Sequence, residues 1–327
     1  MPLHALWSSR FGAEEAAQRR NELLPDIDLR VETNRDQLEP FLAKAQVVID
    51  GRASGKLLDA PLLQHVIVPW AGVPEALREQ LASRPQLRLH NSHYNASFVA
   101  QHALALLLAG SNRIVEADLH LRRGDWRPRH RDDFSSVQLP GLTCLLLGYG
   151  AIGQEVRDRV AALGMNVTAL RRTPQADPKL DKVYGPDALL DALADADVII
   201  VSLPHTPETE NLLDQAAFAA MKPRTILVNV GRAAVINEEA LYHALREQRI
   251  LAAGLDVWWR YPADEAARAT TYPSTLPLHE LPNLIMSPHR ANQARGEESR
   301  QFDDIAKTLE AILRGEARNE IDLKRGY

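Results

Sequence analysis

The sequence has little cysteine and lacks a long apolar run. Its 327 residues include one cysteine, Cys144, so no disulfide can form within the chain. Cys144 lies in a short apolar segment, which is typical of a reduced core residue in a cytosolic protein. No run reaches the roughly 20 apolar residues that cross a bilayer, and the first residues lack the basic start and apolar stretch of a signal peptide. These absences predict a cytoplasmic protein that contacts no membrane.

An excess of basic charge is missing as well. The formal net charge is −5 and the sequence pI is about 6.1. The densest basic stretch, residues 122–131, contains Asp125 and is followed by Asp132 and Asp133, which is typical of a solvated surface. We therefore predict no nucleic-acid partner and no metal site. The length, with 45% hydrophobic and 25% charged residues, is ordinary for a globular protein of two domains.

What the sequence does contain is a glycine fingerprint in mid-chain, Gly148-Tyr149-Gly150-Ala151-Ile152-Gly153. The apolar run 143–147 precedes it, and residues 154–163 follow with helical spacing. Glycines let the backbone approach a dinucleotide pyrophosphate, and the free N–H groups of a helix N-terminus face its phosphates. The fingerprint therefore predicts a dinucleotide site, although the pattern alone is also compatible with a structural turn.

Short apolar runs alternate with helical patterns on both sides of the fingerprint. A strongly apolar helix at 96–110 is apolar on several faces, which predicts burial between domains or subunits. The last helix, 297–314, is followed by Gly315 as a C-cap. The other predicted helices before the fingerprint are 13–23 and 36–45, and the predicted strands are 3–7, 27–31, 47–49, 66–68, 87–89, 143–147, 167–170, 198–203, 225–230, 252–257 and 284–286.

The order of these elements predicts an α/β protein of two domains. After the fingerprint, strands separated by helices indicate a doubly wound parallel sheet of Rossmann type in residues 96–292. Once that sheet is complete, the C-terminal tail is free to return to the first region. The smaller domain then consists of residues 1–95 with 293–327. We predict one domain inserted within the other, with the active site in the cleft between them.

Further motifs lie at the ends of predicted strands, where parallel sheets bind ligands. With the fingerprint, they resemble the D-2-hydroxyacid dehydrogenase family over nearly the whole chain, and their combined order is far more specific than any one motif. The resemblance implies a Rossmann-type domain inserted into a smaller flavodoxin-like substrate domain. The motifs are Asn95 to His102, Leu203 to Thr209, Asn229-Val230-Gly231-Arg232, Leu255-Asp256-Val257 and Ser287-Pro288-His289.

Arg232 and His289 are the candidate catalytic residues. Arg232 can hold a carboxylate through two parallel hydrogen bonds, which fixes an α-keto acid beside a nicotinamide. His289 can donate a proton to the carbonyl oxygen as hydride arrives, or accept it in reverse. A helix-capping arginine and a loop histidine are the alternatives. For Asp256 the resemblance implies a hydrogen bond from the nicotinamide amide, while a turn carboxylate is the structural alternative.

The resemblance also implies contacts with substrate and cofactor. In the first domain, Ala71 and Gly72 offer backbone N–H groups to a carboxylate, and Arg52 and Asn95 match family positions that face the cleft. Trp70 could form an aromatic wall there, with Tyr94, or could be plain core. The implied cofactor contacts are the fingerprint residues, Leu203, Pro204, Thr209, Val230, Gly231, Asp256 and Ala291.

The chain departs from the family at Tyr261. The family places a glutamate in this slot, where its charge orients the catalytic imidazole and raises its pKa. A phenol can orient the ring but lends no comparable charge. Another acid could reach His289, tyrosine could suffice, or the reaction could need little proton transfer, as in the family's formate dehydrogenases. The candidate acids are Asp264, Glu265 and Glu280. The stretch 264–281 is also longer than the family needs and could either shape the substrate site or decorate the surface.

The residues after the second strand of the nucleotide domain predict the cofactor. NAD enzymes place an acid there for the ribose 2′-hydroxyl, whereas this chain has Arg171-Arg172-Thr173. Arginines suit the 2′-phosphate of NADP. NADP(H) is therefore the preferred cofactor, with NAD(H) possible if one guanidinium merely stacks on the adenosine.

These expectations converge on a reductase of small 2-keto acids that prefers NADPH, of the glyoxylate or hydroxypyruvate kind. Oxidation of a simple anion such as formate or phosphite is one alternative, because the glutamate is missing. A non-catalytic dinucleotide-sensing scaffold or corepressor is another, against which Arg232 and His289 argue. The helix at 96–110 and the resemblance both predict a homodimer.

Overall fold

The computed structural model describes residues 2–323, which divide into two compact units. The described residues of Met1–Asn95 and Ala294–Tyr327 form one unit, and Ala96–Gln293 form the other. The division after Gln293 lies one residue beyond the boundary that the sequence predicts.

The first unit is built on a five-stranded parallel sheet. Its strands are β1 (Leu3–Trp7), β2 (Ile27–Val31), β3 (Val47–Ile49), β4 (His65–Ile67) and β5 (Arg88–His90), in the order β2-β1-β3-β4-β5. This is the order of flavodoxin-like sheets. Apolar side chains cover both faces, as a parallel sheet requires. The helices α1 (Ala13–Arg19), α2 (Glu39–Leu42) and α3 (Glu75–Ala82) connect the strands.

The second unit is built on a seven-stranded parallel sheet. Its strands are β6 (Thr143–Leu147), β7 (Asn166–Leu170), β8 (Lys182–Tyr184), β9 (Val198–Val201), β10 (Ile226–Asn229), β11 (Ala252–Leu255) and β12 (Leu284–Met286). Their order is β12-β11-β10-β9-β6-β7-β8, so the chain leaves β6 in one direction and returns to β9 on its other side. That switch point is where such sheets bind dinucleotides. The predicted fold class, with two parallel α/β sheets, is confirmed.

Helices cover both faces of the second sheet. They are α4 (Ala96–Ser111), α5 (Ile114–Leu121), α6 (Ala151–Ala162), α7 (Leu189–Asp195), α8 (Gln215–Ala220) and α9 (Glu238–Arg246). The predicted apolar helix is α4, and its buried side chains, including Val99, Ala103 and Leu107, pack in the core on one face of this sheet. A Cβ at Gly254 in β11 would lie 2.8 Å from Cβ of Leu106, so the close approach of α4 depends on that glycine.

The last helix, α10 (Glu297–Leu313), belongs to the first unit. Its apolar residues Phe302, Ile305 and Leu309 share a buried cluster with Trp7 of β1. Gly315 follows the helix with φ of 73°, in the left-handed conformation that commonly follows a helix C-terminus. The tail therefore returns to the sheet formed by the amino-terminal residues.

Several element boundaries differ from the predicted ones. The helix expected at 13–23 is α-helical only to Arg19, and the one expected at 36–45 shortens to α2, which has a proline in its first turn. The strand β8 was not anticipated, because its three residues at the sheet edge lack an apolar run. Among residues 2–323, no single helix is long and apolar enough to cross a bilayer. Only α4 and α5 taken together reach that length and composition, and they are bent by 60°.

Candidate active site

The glycine fingerprint forms the turn between β6 and α6. Gly148 has φ of 98°, and a Cβ at Gly153 would lie only 2.3 Å from the carbonyl oxygen of Gly148. These two glycines are therefore required by the turn itself. Apart from the adjoining residues 149 and 151, no heavy atom of the described chain lies within 4 Å of the position that a Cβ would take at Gly150. Space beside Gly150, next to the first turn of α6, suits the close approach of a phosphate.

Two arginines follow β7 directly. The Arg171 guanidinium carbon lies 5.5 Å from the ring centroid of Tyr149, so the fingerprint tyrosine holds it by a cation–π contact. Arg172 and Thr173 are exposed. The pKa of Glu208 lies below its usual value, because Thr206 hydrogen-bonds to its carboxylate and the positive charge of Arg172 adds to the effect. The residues that directly follow β7, 171–176, therefore carry positive charge and include no acid.

The loops after β9 and β10 touch each other. A Cβ at Gly231 would lie 2.6 Å from the carbonyl oxygen of Leu203, so only glycine fits there. The hydroxyl of Thr209 donates to the carbonyl of Pro204 at 2.7 Å and closes the loop after β9. Val230 is buried beneath this contact region. The predicted cofactor residues of both loops are thus brought to the same edge of the sheet.

Asn229 positions Arg232, a role the sequence analysis did not assign to it. The buried Asn229 side chain accepts from the N–H of Gly231 at 2.9 Å and donates to the carbonyl of Arg232 at 3.0 Å. The Arg232 side chain itself is exposed, with one Nη bonded to the carbonyl of Gly231 at 2.8 Å. The remaining guanidinium donors are available to an anionic ligand.

Asp256 anchors the loop that carries His289. Its carboxylate is 1% exposed and accepts from the Ser287 hydroxyl at 2.5 Å and from the backbone N–H groups of Arg290 at 2.9 Å and Ala291 at 3.0 Å. Burial by itself would raise the pKa of Asp256, but these bonds and one from His102 bring it below its usual value. The contact with a nicotinamide amide stays a prediction, and the structure adds a loop-holding role that the motif did not reveal.

Trp258 and His102 also hold this loop, and neither was singled out from the sequence. The Trp258 indole donates to the carbonyl of Ser287 at 2.7 Å, and Nε2 of His102 lies 2.8 Å from the Ser287 hydroxyl. His289 itself has φ of 52°, an uncommon conformation for a residue other than glycine. A loop that is held by several hydrogen bonds and carries an exposed histidine in an uncommon backbone conformation is typical of a functional site.

Tyr261 lies beside His289, as its place in the sequence predicts. Its hydroxyl is 2.8 Å from Nδ1 of His289 and accepts from the backbone N–H of Trp258 at 3.2 Å. Although His289 reaches the surface, partial burial of its ring lowers its pKa below the usual value; the nearby charge of Asp256 opposes this shift and that of Arg232 adds to it. Burial also raises the pKa of Tyr261. The pair is therefore neutral near pH 7.

The three candidate acids contact their own neighbours instead. Asp264 accepts from the N–H of Ala267 at 2.9 Å, Glu265 lies 3.6 Å from Arg268, and Glu280 lies 3.8 Å from His279. Within residues 2–323, tyrosine is the side chain that meets Nδ1 of His289. The hypothesis that one of these acids replaces the family glutamate is not supported.

The long stretch 264–281 folds back against the Tyr261 segment. The carbonyl of Pro273 accepts from the N–H of Arg260 at 3.1 Å. Glu238 accepts from the Ser274 hydroxyl at 2.5 Å, which ties the stretch to α9. The rings of Tyr272 and His279 are 4.4 Å apart. This stretch supports the residues that precede Tyr261 on the same edge of the unit.

The candidate substrate residues of the first unit follow β3, β4 and β5. The N–H of Arg52 donates to Asp50 at 2.8 Å, and the Arg52 side chain is exposed. Trp70 packs edge-on against Phe11, with ring centroids 6.2 Å apart. Gly72 and Trp70 are half-buried, and the carbonyl of Ala71 accepts from Asn91 at 2.7 Å. The Asn95 side-chain oxygen is buried without a hydrogen-bond partner in the described residues.

Comparison with known families identifies the nucleotide-binding unit. Residues 104–291 match the model of the D-isomer specific 2-hydroxyacid dehydrogenase NAD binding domain. That range covers more than half of the chain and includes the fingerprint, Arg232, Asp256 and His289.

Named relatives and solved structures agree. The chain is 34% identical to D-3-phosphoglycerate dehydrogenase of Mycobacterium leprae over 86% of this chain and 50% of that protein, so it spans about half the length of that relative. It is 30% identical to glyoxylate reductase of Thermococcus gammatolerans over 82% of this chain and 79% of that one. A D-isomer specific 2-hydroxyacid dehydrogenase from Xanthobacter autotrophicus, solved with NADPH and MES, matches all of both chains with a TM-score of 0.82 and 25% identity. The chain therefore belongs to the D-isomer specific 2-hydroxyacid dehydrogenase family.

Proposed function

We propose that the protein reduces small 2-keto acids with NADPH, as a reductase of the glyoxylate or hydroxypyruvate kind. One observation carries the proposal: Arg232 and His289 are both exposed and follow β10 and β12, the strands on either side of β11. Hydrogen bonds from Asn229 and to Asp256 hold the loops that carry them, and the charge of Arg232 acts on His289. A cation that binds carboxylate beside an imidazole that donates to a carbonyl oxygen suits an α-keto acid.

The residues of the second unit also suit a nicotinamide dinucleotide. The open space beside Gly150 and the first turn of α6 fit a pyrophosphate. When bound, the cofactor supplies the hydride that reduces the keto carbon. Arg232 holds the substrate carboxylate, and His289 donates through Nε2 to the carbonyl oxygen, where the incoming proton must arrive. Asp256 and Trp258 keep that ring in place through the loop it belongs to.

The preference for NADPH is supported by the arginines after β7. An NADPH-dependent glyoxylate/hydroxypyruvate reductase from Sinorhizobium meliloti, solved with NADP and malonate, is 25% identical over 99% of this chain and 98% of that one, with a TM-score of 0.72. Loss of a charged contact to the 2′-phosphate costs roughly 1.5–3 kcal/mol, or about 10- to 100-fold. Arg171→Ser should therefore raise KM for NADPH by about that factor and leave KM for NADH nearly unchanged. A strong NADH preference in the unaltered enzyme would refute this part.

The neutral Tyr261 beside His289 favours a second candidate, oxidation of a simple anion such as formate, which gives up hydride without a proton transfer, or phosphite, whose oxidation also takes up water at phosphorus. A panel of glyoxylate, hydroxypyruvate and longer keto acids with NADPH, against formate and phosphite with NADP, separates the two. We expect turnover in the keto-acid arm. Turnover only with formate or phosphite would replace the proposal, and cofactor binding without any turnover would favour a dinucleotide-sensing scaffold.

We also propose a homodimer. Leu108, Ile114, Leu119 and Leu121 are exposed apolar residues on α4 and α5, a set that a second copy could cover. Light scattering of the purified protein should give twice the mass of the 36.4 kDa chain. A mass of one chain at micromolar concentration would contradict the dimer.

A further inference from the structure

The hydroxyl of Tyr261 has two hydrogen-bond partners among residues 2–323, and they do not play the same part. The backbone N–H of Trp258, at 3.2 Å, can only donate, so the phenolic oxygen accepts from it. Nδ1 of His289, at 2.8 Å, can either donate or accept, depending on the tautomer. A phenol carries one proton, and Nδ1 is the one acceptor within the described residues to which it points.

We propose that Tyr261 donates its proton to Nδ1 of His289 and thereby holds the ring in the neutral tautomer that carries its hydrogen on Nε2. The opposite assignment places the hydrogen on Nδ1. The phenolic oxygen would then accept twice, and its own proton would have no partner in the described part of the chain. Tyr261 is therefore a positioning residue for His289, and the Trp258 N–H fixes the direction of the bond between them.

Both ends of the Tyr261–His289 bond are fixed by the same pair of segments. Trp258, which is 6% exposed, bonds through its indole to the carbonyl of Ser287, two residues before His289. Asp256 bonds to the two N–H groups that follow His289. The segment 256–261 thus sets the position of the loop 287–291 and also presents the hydroxyl to the ring. This arrangement leaves little freedom for Tyr261 to exchange its partners.

Burial, more than the surrounding charges, keeps the His289 ring neutral. The groups that act on His289 are the Asp256 carboxylate, the Arg232 guanidinium and the Tyr261 phenol. Burial lowers the pKa of His289 and raises the pKa of Tyr261. Both directions keep the proton on the phenol and the imidazole neutral above the lowered pKa of His289.

For the reaction, which rests on the proposed function, this tautomer presents a hydrogen-bond donor to the substrate, because the Nε2–H of the neutral ring can bond to the oxygen of a keto acid. The proton that the reduced oxygen keeps comes from the imidazolium, which forms when the ring takes up a solvent proton on Nδ1 and gives up the bond from Tyr261. Transfer from Nε2 leaves the hydrogen on Nδ1, and exchange with solvent restores the resting tautomer. The rate of reduction should therefore rise as the pH falls through the pKa of His289. Oxidation of a hydroxy acid needs an unprotonated Nε2, so the ring would first have to move its hydrogen to Nδ1.

The test reads the tautomer directly and needs no turnover. The protein with 15N-labelled histidine is measured by two-bond 1H–15N correlation NMR at pH 8, and His289→Asn assigns the His289 signals. We expect the hydrogen on Nε2. In Tyr261→Phe the donor is lost, so the two tautomers should mix and the His289 nitrogen shifts should move. Tyr272→Phe is the matched control, because Tyr272 lies on the adjoining stretch and stacks on a different histidine, His279. It should leave the His289 signals unchanged.

A second variant reverses the polarity of the bond. In Tyr261→Glu the carboxylate can only accept, so the hydrogen should move to Nδ1 and the pKa of His289 should rise by about 1 unit or more, as for an imidazole beside an acid. Hydrogen on Nδ1 in the unaltered protein overturns the proposal, and so does an unchanged tautomer in Tyr261→Phe. If Tyr261→Glu fails to fold, Tyr261→Phe decides. The NMR result stands whether or not a keto acid turns over, so failure of the proposed function is seen separately in the substrate panel.

Discussion

Each sheet has a buried carboxylate directly after one of its strands, and the two differ in how their charge is balanced. Asp50 follows β3 and Asp256 follows β11, and both are 2% exposed or less. Asp50 accepts from the Ser8 hydroxyl at 2.9 Å and from the N–H of Arg52 at 2.8 Å. Asp256 accepts in the same manner from a serine hydroxyl and from backbone N–H groups. Both carboxylates therefore hold a loop at the carboxyl edge of a parallel sheet.

The difference is an arginine. Arg35 lies 2.6 Å from Asp50 and balances its charge. Asp256 has His102, at 3.4 Å, as its one basic partner among the ion pairs of residues 2–323. The charge of Asp256 therefore acts on His289 and opposes the fall of its pKa. A carboxylate that is paired with an arginine stabilises its loop, but its charge is balanced. A carboxylate that is held by neutral donors can also shift the pKa of a neighbouring imidazole. This comparison predicts that the two loops differ in what they contribute to the reaction.

The largest expected effect comes from the residues that the two loops carry. His289→Asn should lower kcat for keto-acid reduction by about 10³-fold, within the usual range for a lost general acid. The family resemblance implies that Arg52 contacts the substrate, so Arg52→Ala should mainly raise KM, by about 10-fold, the effect of losing a charged contact worth roughly 1.5–3 kcal/mol. Steady-state kinetics with both variants checks this division. Equal losses of kcat in the two variants would contradict the prediction that the two loops contribute differently to the reaction.

The carboxylates themselves should give the next largest effect. Asp256→Asn keeps the shape but removes the charge and turns an amide N–H toward a backbone donor, so kcat should fall by roughly 10²-fold, toward the lower end of the range for general acid–base catalysis. Asp50→Asn should leave kcat within about twofold and reduce the free energy of unfolding by about 1–3 kcal/mol, the cost of an unsatisfied buried donor. Steady-state kinetics gives kcat for both variants, and urea unfolding gives their free energies of unfolding. A large loss of kcat in Asp50→Asn would show that the arginine does not make that site purely structural.

The carboxylate comparison also shows what the sequence could and could not predict. Strands that are mostly apolar, such as β1 and β6, lie at the predicted residues, because burial on both faces of a sheet leaves a clear pattern. The placement of Tyr261 beside His289 followed from a fixed spacing after Asp256. The partners of Asp256 did not, because they lie 34 residues away in the case of Arg290 and bond through backbone groups that carry no sequence signal. The bond from the Trp258 N–H to Tyr261 is local, but it too comes from a backbone group and left no sequence signal. The edge strand β8 was missed for a similar reason, since edge pairing demands few apolar residues.

The first sheet contains a further pair of titratable groups, which allows stability to be separated from activity. Nδ1 of His65 lies 3.0 Å from Nε2 of His90, and Nδ1 of His90 lies 2.9 Å from the carbonyl of Arg318. A carbonyl only accepts, so His90 donates through Nδ1 and its Nε2 accepts from His65. Both rings are then neutral. Burial lowers the pKa of His65 to about 4, with the charges of His90 and Arg88 adding to the shift, and burial also lowers the pKa of His90.

Acid should therefore weaken the first sheet through His65 before it affects the carboxylates. A folded-state pKa below the unfolded value of about 6.5 means that the unfolded chain binds more protons. The stabilisation is complete above that value and is lost as the pH falls toward about 4, the pKa of His65 in the folded state. With these two values, the His65 contribution between pH 8 and pH 5 is about 2 kcal/mol.

Urea unfolding at pH 8 and pH 5 should show this loss in the free energy of unfolding. His65→Gln should be less stable, but its free energy of unfolding should change less between the two pH values, by about the same amount. An unchanged pH dependence of stability in His65→Gln would contradict this prediction. It would mean that the pKa of His65 is not lowered by folding.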